Sequence, residues 1–407
     1  MATRHALEGI RVVDFSWYGT GPLIAKYLAE HGAEVIKVES NTRPDNFRWI
    51  GPFRDNKPGI NLAGGWNNFN CGKMSITLNL DNPGGVELAK RLIARADIVI
   101  EGYTPRVMNK FGLDYERIRE VKSDIIMLSC PTQGQTGPDA ERPGFGSVLP
   151  ALIGVYNLVG WPDRDPCMTG IAYTDYFCPY LAAIAIVAAL DYRRRTGKGQ
   201  YIDFSQFEAT IHCEEAAVLD YTVNGRVLTR MGNRLPYHTA APHGAYRCKG
   251  DDRWCAIAVF TDQEWRSFCQ AIGNPDWTRD EKFATMTGRK DNEDELDRLV
   301  EEWTIDYSAE QAMTLMQRAG VSAGMVQTIE DVYRDPQLKH RHHYWEQDHL
   351  EAGTFIADAS AFKLSKAPGE MNRPSPLQGQ HNEYVFRELL GMSEEEFSEW
   401  LVAGSID

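Results

Sequence analysis

The first 130 residues alternate between short apolar runs and longer amphipathic stretches. The apolar runs are IRVVDF from Ile10, EVIKVE from Glu34, DIVIE from Asp97 and DIIMLS from Asp124. Helices are predicted between them, one opening near Pro22 and one from Gly84. Strands rich in Ile and Val that alternate with helices are typical of a parallel sheet covered on both faces. The sequence therefore predicts an α/β protein with a Rossmann-like large domain.

Changes in composition along the chain predict five parts. Residues 1–200 are the first part of the large domain, 201–224 a linker helix, 225–325 a small α+β domain, 326–340 a second linker and 341–407 the C-terminal part of the large domain. The last part holds two short predicted helices, too small to fold alone, so we expect it to pack on the large domain.

The longest apolar stretch, from Leu181 to Leu190, ends at Asp191 and Arg193. It is about half the length of a bilayer span, so we expect a buried helix and no membrane association. The start, MATRHALEGIRVVDF, has no long apolar run after its basic residues. A signal peptide is therefore not expected, and the expected compartment is the cytoplasm.

The charge balance is acidic, with 43 basic and 57 acidic residues and a formal net charge of −14. Such a balance argues against a protein that follows a nucleic-acid backbone. The eight cysteines form neither a CxxC pair nor a Cys/His ligand spacing. We therefore expect reduced thiols and no metal site. His340, His342 and His343 lie in a polar, loop-like stretch, where solvated histidines are expected.

The stretch GTGPLI after the first predicted strand is similar to a dinucleotide-binding fingerprint. Gly19 and Gly21 would let the backbone approach a pyrophosphate, and Glu39, about 20 residues further on, would meet a ribose. Ile24, however, replaces the third glycine, and its side chain would obstruct the close packing of helix on strand. The sequence therefore disfavours NAD binding.

Asp175 stands just before the apolar helix. A carboxylate there would be partly desolvated and close to a helix N-terminus. One interpretation is an N-cap, because an aspartate side chain satisfies free backbone N–H groups and favours the helix dipole. The other is a reactive carboxylate. Spacing alone favours the cap.

Seven strings change that balance. They are RVVDFSWYGTGPLIAKYLAEHGAEVIKVE, NCGKMSITLNL, ADIVIEGYTPRVMNKFGLDY, the block around Asp175, RTGKGQYIDFSQFEA, GVSAGMVQTIEDVYRDPQL and GQHNEYVFRELLG. In this order they resemble the class III CoA-transferase (CaiB/BaiF) family, nearly end to end. The stretch GWPDRDPCMTGIAYTDY is also similar to subunits of succinyl-CoA:benzylsuccinate CoA-transferases.

The resemblance implies an interlocked-ring dimer with the active site between large and small domains, either a homodimer or a hetero-oligomer with a related subunit. It implies that Asp175 attacks the thioester of an acyl-CoA donor and passes CoA to a carboxylic acid through anhydride and aspartyl-CoA thioester intermediates. Water must be excluded, since the anhydride would hydrolyse. Coenzyme A and acyl-CoA are then substrates, and no tightly bound cofactor is implied.

The resemblance also implies positions that contact CoA. They are Tyr18, Gly19, Thr20, Ser40, Leu78, Gly102, Tyr103 and Lys110, with Arg43 and Arg48 as further cations for the nucleotide phosphates. Three of them differ from formyl-CoA transferases, which have glutamine, arginine and asparagine where this chain has Gly19, Ser40 and Gly102. This departure puts a small oxalate or formyl site in doubt.

Aromatic residues near the predicted turns suggest the acceptor. They are Trp17, Tyr18, Trp49, Trp66 and Trp161. Large flat side chains could pack against a bulky aromatic acid such as benzylsuccinate, or could fill a dimer interface. The stretch LPYHTAAPHG replaces the glycine-rich lid of formyl-CoA transferases, so Tyr237 and His238 either line the pocket or belong to an ordinary linker.

Two other functions stay open. An α-methylacyl-CoA racemase or epimerase of the same fold needs a histidine as well as an aspartate, and GFGSVLPALIG places Phe145, here a candidate substrate contact, where that histidine belongs. A non-catalytic partner subunit would have lost the nucleophile, whereas this chain keeps Asp175.

Overall fold

The computed structural model describes residues 5–407. The strands in this range are β1 (Arg11–Asp14), β2 (Glu34–Glu39), β3 (Met74–Thr77), β4 (Ile98–Glu101), β5 (Ile126–Ser129), β6 (Tyr201–Asp203), β7 (His243–Arg247), β8 (Trp254–Ala258), β9 (Ser322–Met325), β10 (Tyr344–His349) and β11 (Gly353–Asp358).

The α-helices of the same range are α1 (Thr20–Glu30), α2 (Gly64–Phe69), α3 (Pro83–Ile93), α4 (Pro105–Phe111), α5 (Tyr115–Val121), α6 (Leu149–Leu152), α7 (Val155–Leu158), α8 (Tyr173–Thr196), α9 (Gln206–Ile211), α10 (Glu215–Asn224), α11 (Asp262–Ala271), α12 (Met286–Asp291), α13 (Glu293–Thr304), α14 (Ala309–Arg318), α15 (Ile329–Arg334), α16 (Pro336–His340) and α17 (Glu394–Val402). Short 3₁₀ turns span Asn46–Trp49, Arg54–Asn56, His212–Glu214, Asp276–Arg279 and Glu281–Phe283, and a π-helical turn spans Tyr384–Leu389.

Six parallel strands form the central sheet in the order β3-β2-β1-β4-β5-β6. Val13 of β1 lies beside Ile36 of β2 on one side and Val99 of β4 on the other. The order reverses between β1 and β4, and ligands of open α/β sheets bind at the carboxyl ends of the strands at such a point. The predicted Rossmann-like α/β fold is confirmed.

Helices cover both faces of this sheet. On one face, Ile24 of α1 and Ile186 of α8 belong to a core cluster with Ile126 of β5. The opposite face is covered by α3, α5 and the C-terminal segment, which contributes Phe386 and Phe397 to a second cluster. Both faces are therefore apolar, which explains why the strand sequences read as continuous Ile and Val runs.

The chain divides into two units. The first comprises the chain up to Val155, Met168–Ala216 and Gln337–Asp407, and the second comprises Tyr156–Cys167 and Ala217–Pro336. The C-terminal segment is tied to β3, since the Thr77 backbone N–H donates to Asn382 Oδ1 at 2.9 Å.

The predicted linker helix at 201–224 is wrong. Its first residues form β6, which pairs with β5 through Leu128 and Ile202 and so extends the large unit. Ser205 then ends the strand and caps α9 by accepting a hydrogen bond from the Glu208 N–H at 3.2 Å. A 3₁₀ turn at His212–Glu214 separates α9 from α10, so the segment is not one helix.

The second unit has its own core. Its three antiparallel strands are ordered β7-β8-β9. Phe268, Leu296, Val300 and Met316, from α11, α13 and α14, pack in one cluster with Ile257 of β8. This unit is a small α+β domain, but it comprises Tyr156–Cys167 and Ala217–Pro336, whereas the sequence predicted residues 225–325.

Helix α8 departs from the prediction of a buried helix. Ala182, Ile186 and Ala189 are fully buried against the sheet, but Ile184 is 65% exposed and Val187 50% exposed. By length and composition alone α8 could cross a membrane, although only a third of its most apolar stretch is buried within the chain. One face of α8 thus belongs to the core, and the other is an apolar surface.

Candidate active site

Asp175 is the third residue of α8 and does not cap it. Ala172 occupies the N-cap position, and no side chain caps this helix. The interpretation of Asp175 as an N-cap is therefore wrong. Its partly exposed carboxylate instead lines a cavity of about 660 Å³ at the carboxyl ends of β1 and β4.

Two glycines lie directly against this carboxylate. A Cβ atom added to Gly19 would lie 2.8 Å from Asp175 Cγ, and one added to Gly146 would lie 2.3 Å from Asp175 Oδ2. Side chains larger than hydrogen at either position would displace the carboxylate. The space beside Gly19 is thus filled by Asp175 itself.

The ionisation of Asp175 is shifted toward neutral pH. Burial raises the pKa of this carboxyl to about 6, while the Thr20 hydroxyl, which donates to Oδ1 at 2.9 Å, lowers it. At pH 7 the group is mainly an anion, as a nucleophile must be. Its poor hydration leaves it less stabilised than an ordinary surface carboxylate.

Thr20 in turn contacts Gln206. The Thr20 Oγ1 and Gln206 Oε1 atoms are 3.0 Å apart, and Gln206 Nε2 donates to the Cys130 carbonyl oxygen at 2.7 Å. These contacts connect Asp175 to the residue that follows β5. Sequence reasoning missed both Gln206 and Gly146. The GFG string around Gly146 was a usable signal, whereas nothing local marked Gln206.

Aromatic side chains dominate the cavity lining. They are Trp17, Tyr18, Phe47, Phe69, Tyr103, Phe145 and Tyr176. The Tyr18 and Phe145 rings meet edge to face at 5.2 Å, and the Trp17 and Tyr103 rings at 5.9 Å. Of the lining residues in the described range, none is lysine, arginine or histidine. The cavity therefore offers apolar area and one carboxylate, with no positive charge.

Hydrogen bonds to buried groups fix the turns that follow β1 and β4. Tyr18 has a left-handed backbone conformation (φ 62°), which is costly for a non-glycine residue. Its backbone N–H donates to Asp45 Oδ1 at 3.1 Å. After β4, the Tyr103 hydroxyl donates to the Phe15 carbonyl oxygen at 2.6 Å. Buried contacts thus position both turns that flank Asp175.

The structure brings together most predicted site residues. Those that line the cavity with Asp175 are Trp17, Tyr18, Gly19, Thr20, Gly102, Tyr103 and Phe145. Of the other predicted aromatics, Trp66 is fully buried and Trp49 is exposed outside the lining. Trp161 belongs to the second unit.

Five of the predicted CoA contacts lie outside the cavity lining, namely Ser40, Leu78, Arg43, Arg48 and Lys110. The Ser40 hydroxyl donates to Asp407 Oδ2 at 2.6 Å, and Leu78 is 1% exposed in the core. Ser40 and Leu78 therefore make contacts within the protein. Lys110 and Arg43 are exposed cations that pair with Asp81 at 2.8 and 3.4 Å. These two stay available to an anion.

Arg48 has no exposed surface for a phosphate. Its guanidinium binds Glu39 through Nη2 and Nε at 2.7 and 2.8 Å and lies 3.4 Å from the Trp66 ring centre. Burial opposes the ionisation of Glu39, but Arg48 lowers its pKa below the usual value. The structure gives Arg48 a structural role in place of the predicted phosphate contact. Glu39 is likewise unavailable to a ribose.

Tyr237 and His238 lie in the second unit. There the Arg226 guanidinium carbon is 5.6 Å from the Tyr237 ring centre, and His238 Nε2 lies 3.7 Å from Asp291 Oδ1. Their assignment to a substrate site stays a prediction. Residues 5–407 hold no group of three His, Cys, Asp or Glu side chains arranged for a metal ion.

Comparison with known proteins identifies the family of this chain. The sequence profile of CoA-transferase family III matches residues 7–382. Succinyl-CoA–D-citramalate CoA-transferase of Chloroflexus aurantiacus is 33% identical over 96% of this chain and 96% of its own length. The beta subunit of succinyl-CoA–L-malate CoA-transferase from the same organism is 30% identical over 97% of this chain and 96% of that subunit.

A solved structure shows the same architecture. The crystal structure of a CaiB/BaiF family protein from Brucella suis superposes with a TM-score of 0.85 at 31% identity, covering 95% of this chain and all of the other. Profile, relatives and structure agree over nearly the whole length of the chain. The chain therefore belongs to CoA-transferase family III and is a CoA-transferase.

Proposed function

We propose that this enzyme transfers CoA from succinyl-CoA to a bulky aromatic carboxylic acid such as benzylsuccinate, with Asp175 as the nucleophile. The observation that carries the proposal is the carboxylate of Asp175 lining a largely aromatic cavity without a basic side chain. The donor is supported by the names of both relatives, which are succinyl-CoA-dependent transferases.

The proposed reaction uses four acyl transfers. An Asp175 oxygen attacks the donor thioester carbonyl, the C–S bond breaks, and CoA leaves as thiolate with the electron pair. The thiolate then attacks the aspartyl carbonyl of the anhydride and releases the donor carboxylate. The acceptor carboxylate next attacks the aspartyl-CoA thioester, which forms a second anhydride and releases CoA thiolate. The thiolate then attacks the acceptor acyl carbonyl of this anhydride, which gives the new acyl-CoA. No proton is gained or lost, and Asp175 is regenerated.

The acceptor is proposed from the cavity lining. The acids named for the relatives, D-citramalate and L-malate, are small dicarboxylates without an aromatic group. The described lining supplies no basic side chain but has seven aromatic ones. An arylalkyl group gains by covering such a surface. Acids that carry an arylalkyl group, such as benzylsuccinate or 3-phenylpropanoate, should therefore bind to this cavity better than small aliphatic dicarboxylates.

A panel of acids tests this preference. Purified enzyme with succinyl-CoA would be assayed against oxalate, L-malate, glutarate, benzylsuccinate and 3-phenylpropanoate. We expect higher kcat/KM for the two aryl acids. A higher kcat/KM for oxalate or glutarate would contradict the aromatic acceptor. The family assignment would stand in that case.

A racemase on this fold is disfavoured by the same lining. Removal and return of an α-proton from opposite faces needs two acid–base groups, and the cavity places Phe145 beside Tyr18, with no histidine among the lining residues described. We expect no deuterium at Cα of a 2-methylacyl-CoA incubated with the enzyme in D₂O. Rapid incorporation, detected by mass spectrometry, would favour the racemase.

We also propose an interlocked oligomer, as a homodimer or with a related subunit. Exposed apolar residues support it, including Ile184 and Val187 on α8 and Leu219 and Val223 on α10. Apolar surface of this extent is typical of an interface. The name of one relative as a beta subunit supports the mixed form.

A further inference from the structure

We propose that Thr20 and Gln206 form a two-position hydrogen-bond switch for Asp175. The Thr20 hydroxyl donates to the Asp175 carboxylate in the free enzyme and turns to Gln206 Oε1 when Asp175 is acylated. Gln206 is thereby a positioning residue for the covalent intermediates. This inference rests on the proposed function, because it requires acylation of Asp175.

One proton faces two acceptors in this cluster. A threonine hydroxyl donates a single hydrogen bond. Thr20 Oγ1 lies 2.9 Å from Asp175 Oδ1 and 3.0 Å from Gln206 Oε1. Both distances are those of ordinary hydrogen bonds, yet only one can be made at a time. Thr20 is 3% exposed and Gln206 7% exposed, so both side chains are largely buried.

The orientation of the Gln206 amide follows from its other partner. Gln206 Nε2 lies 2.7 Å from the Cys130 carbonyl oxygen, which can only accept. Turning the amide over would place Oε1 against that carbonyl and bring two acceptors into contact. The Cys130 carbonyl therefore holds Oε1 toward Thr20. Because Gln206 is the first residue of α9, its backbone is held by the fold.

The state of Asp175 decides which acceptor prevails. An ionised carboxylate accepts a stronger, charge-assisted bond than a neutral amide oxygen, so Thr20 donates to Asp175 in the free enzyme. When Asp175 attacks a thioester carbonyl, its new C–O bond forms, the C–S bond breaks and the negative charge leaves on the thiolate. The acylated oxygens are weak acceptors, and the amide oxygen becomes the better partner. A buried hydroxyl then keeps a hydrogen bond in both states, which favours the intermediate.

The two residues should therefore affect different kinetic quantities. Thr20→Val removes the donor from Asp175. The acidic limb of the kcat/KM–pH profile, expected near pH 6 in the wild type, should therefore move to higher pH. Thr20→Ser keeps the donor and should restore that limb. Gln206→Met leaves the donation to Asp175 intact but removes the second acceptor. It should lower kcat about tenfold without raising the limb.

A double-mutant cycle separates the switch from a packing role. In the Thr20→Val background there is no hydroxyl to be left without a partner, so adding Gln206→Met should cost little further kcat. A structural role of Gln206, including its bond to Cys130, would lower kcat equally in both backgrounds. Gln206→Leu repeats the cycle if the methionine variant does not fold.

The ionisation of Asp175 can also be measured in the absence of turnover. Carbodiimide labelling of the protonated carboxyl, followed across pH by peptide mass spectrometry, gives the titration midpoint of Asp175 in each variant. We expect an upward shift in Thr20→Val only, together with non-additive kcat losses. An unchanged titration midpoint in Thr20→Val, or additive kcat losses in the double-mutant cycle, would overturn the switch. The proposed function would still hold if wild-type Asp175 formed an adduct that depends on succinyl-CoA. Absence of that adduct in the wild type overturns both.

Discussion

Gly146 approaches Asp175 so closely that a Cβ atom at position 146 would lie 2.3 Å from Asp175 Oδ2. The contact joins the loop before α6 to the first turn of α8. Gly19, which is distant from both in the sequence, also lies against this carboxylate. The Asp175 carboxylate is thus positioned by two backbone segments that carry no side chain at the point of contact.

Gly146→Ala should therefore lower kcat/KM by about 100-fold, because displacement of a nucleophile by about 1 Å costs about that much. The matched control is Gly324→Ala, since an added Cβ there meets nothing within 4 Å. Steady-state kinetics and the yield of acylated Asp175 would be measured. Equal activity of the two variants would show that the carboxylate can move aside without loss.

Asp175→Ala should abolish CoA exchange, because the nucleophile is lost. CoA binding should persist, since no CoA contact is assigned to this side chain. Asp191→Ala, an exposed change near the other end of α8, is the control and should behave as wild type. Activity assays and isothermal titration with CoA make the measurement. Ordinary turnover by Asp175→Ala would show that Asp175 is not the nucleophile.

Glu101 should make the protein less stable as pH rises. Burial raises the pKa of this carboxyl from 4.5 to about 7, although Ser129 and the Tyr103 N–H lower it. The unfolded chain therefore loses this proton before the folded one does, and the free energy of unfolding falls between about pH 4.5 and 7. Melting temperatures from pH 5 to 8 should decline less in Glu101→Gln than in the wild type.

The control for that series is Glu116→Gln, an exposed change in an i,i+3 pair with Arg119. It should follow the wild-type curve. Identical pH dependence in Glu101→Gln and wild type would mean that Glu101 ionises in the folded state at its usual pH.

Arg48→Met should act on stability and not on phosphate recognition. Removing the guanidinium leaves Glu39 buried without its partner, which typically costs about 3–5 kcal/mol. We expect a much lower melting temperature with little change in the KM for the acyl-CoA donor. Lys110→Met, which removes an exposed cation, should raise that KM while leaving the melting temperature nearly unchanged. A raised KM with an unchanged melting temperature in Arg48→Met would instead indicate that Arg48 contacts CoA.

The exposed face of α8 should be covered in solution. Light scattering of the purified protein should give the mass of two or more chains. Ile184→Asp should weaken that assembly, because a charge at the centre of an apolar interface is costly. Val402→Asp, at a 90% exposed residue of α17, serves as the control. A stable folded monomer of the unmodified chain would contradict the oligomer.

Local sequence was sufficient for several parts of this enzyme. Runs of Ile and Val predicted β1, β2, β4 and β5, because strands buried on both faces must be apolar throughout. The resemblance to a family, carried by strings over nearly the full length, indicated Asp175 and Tyr18, and the position of Trp17 beside a predicted turn indicated this aromatic residue. These features depend on which residues follow one another along the chain.

The tertiary structure decided the rest. Only the sheet order places Gly146 and Gln206 within reach of Asp175 and Thr20, and only packing turns Arg48 from a surface cation into the buried partner of Glu39. The sequence of α8 is almost uniformly apolar, so it did not indicate which side of the helix is exposed. A sequence pattern reports whether a residue suits burial, whereas the partner of a buried polar group depends on which distant segments the fold brings together.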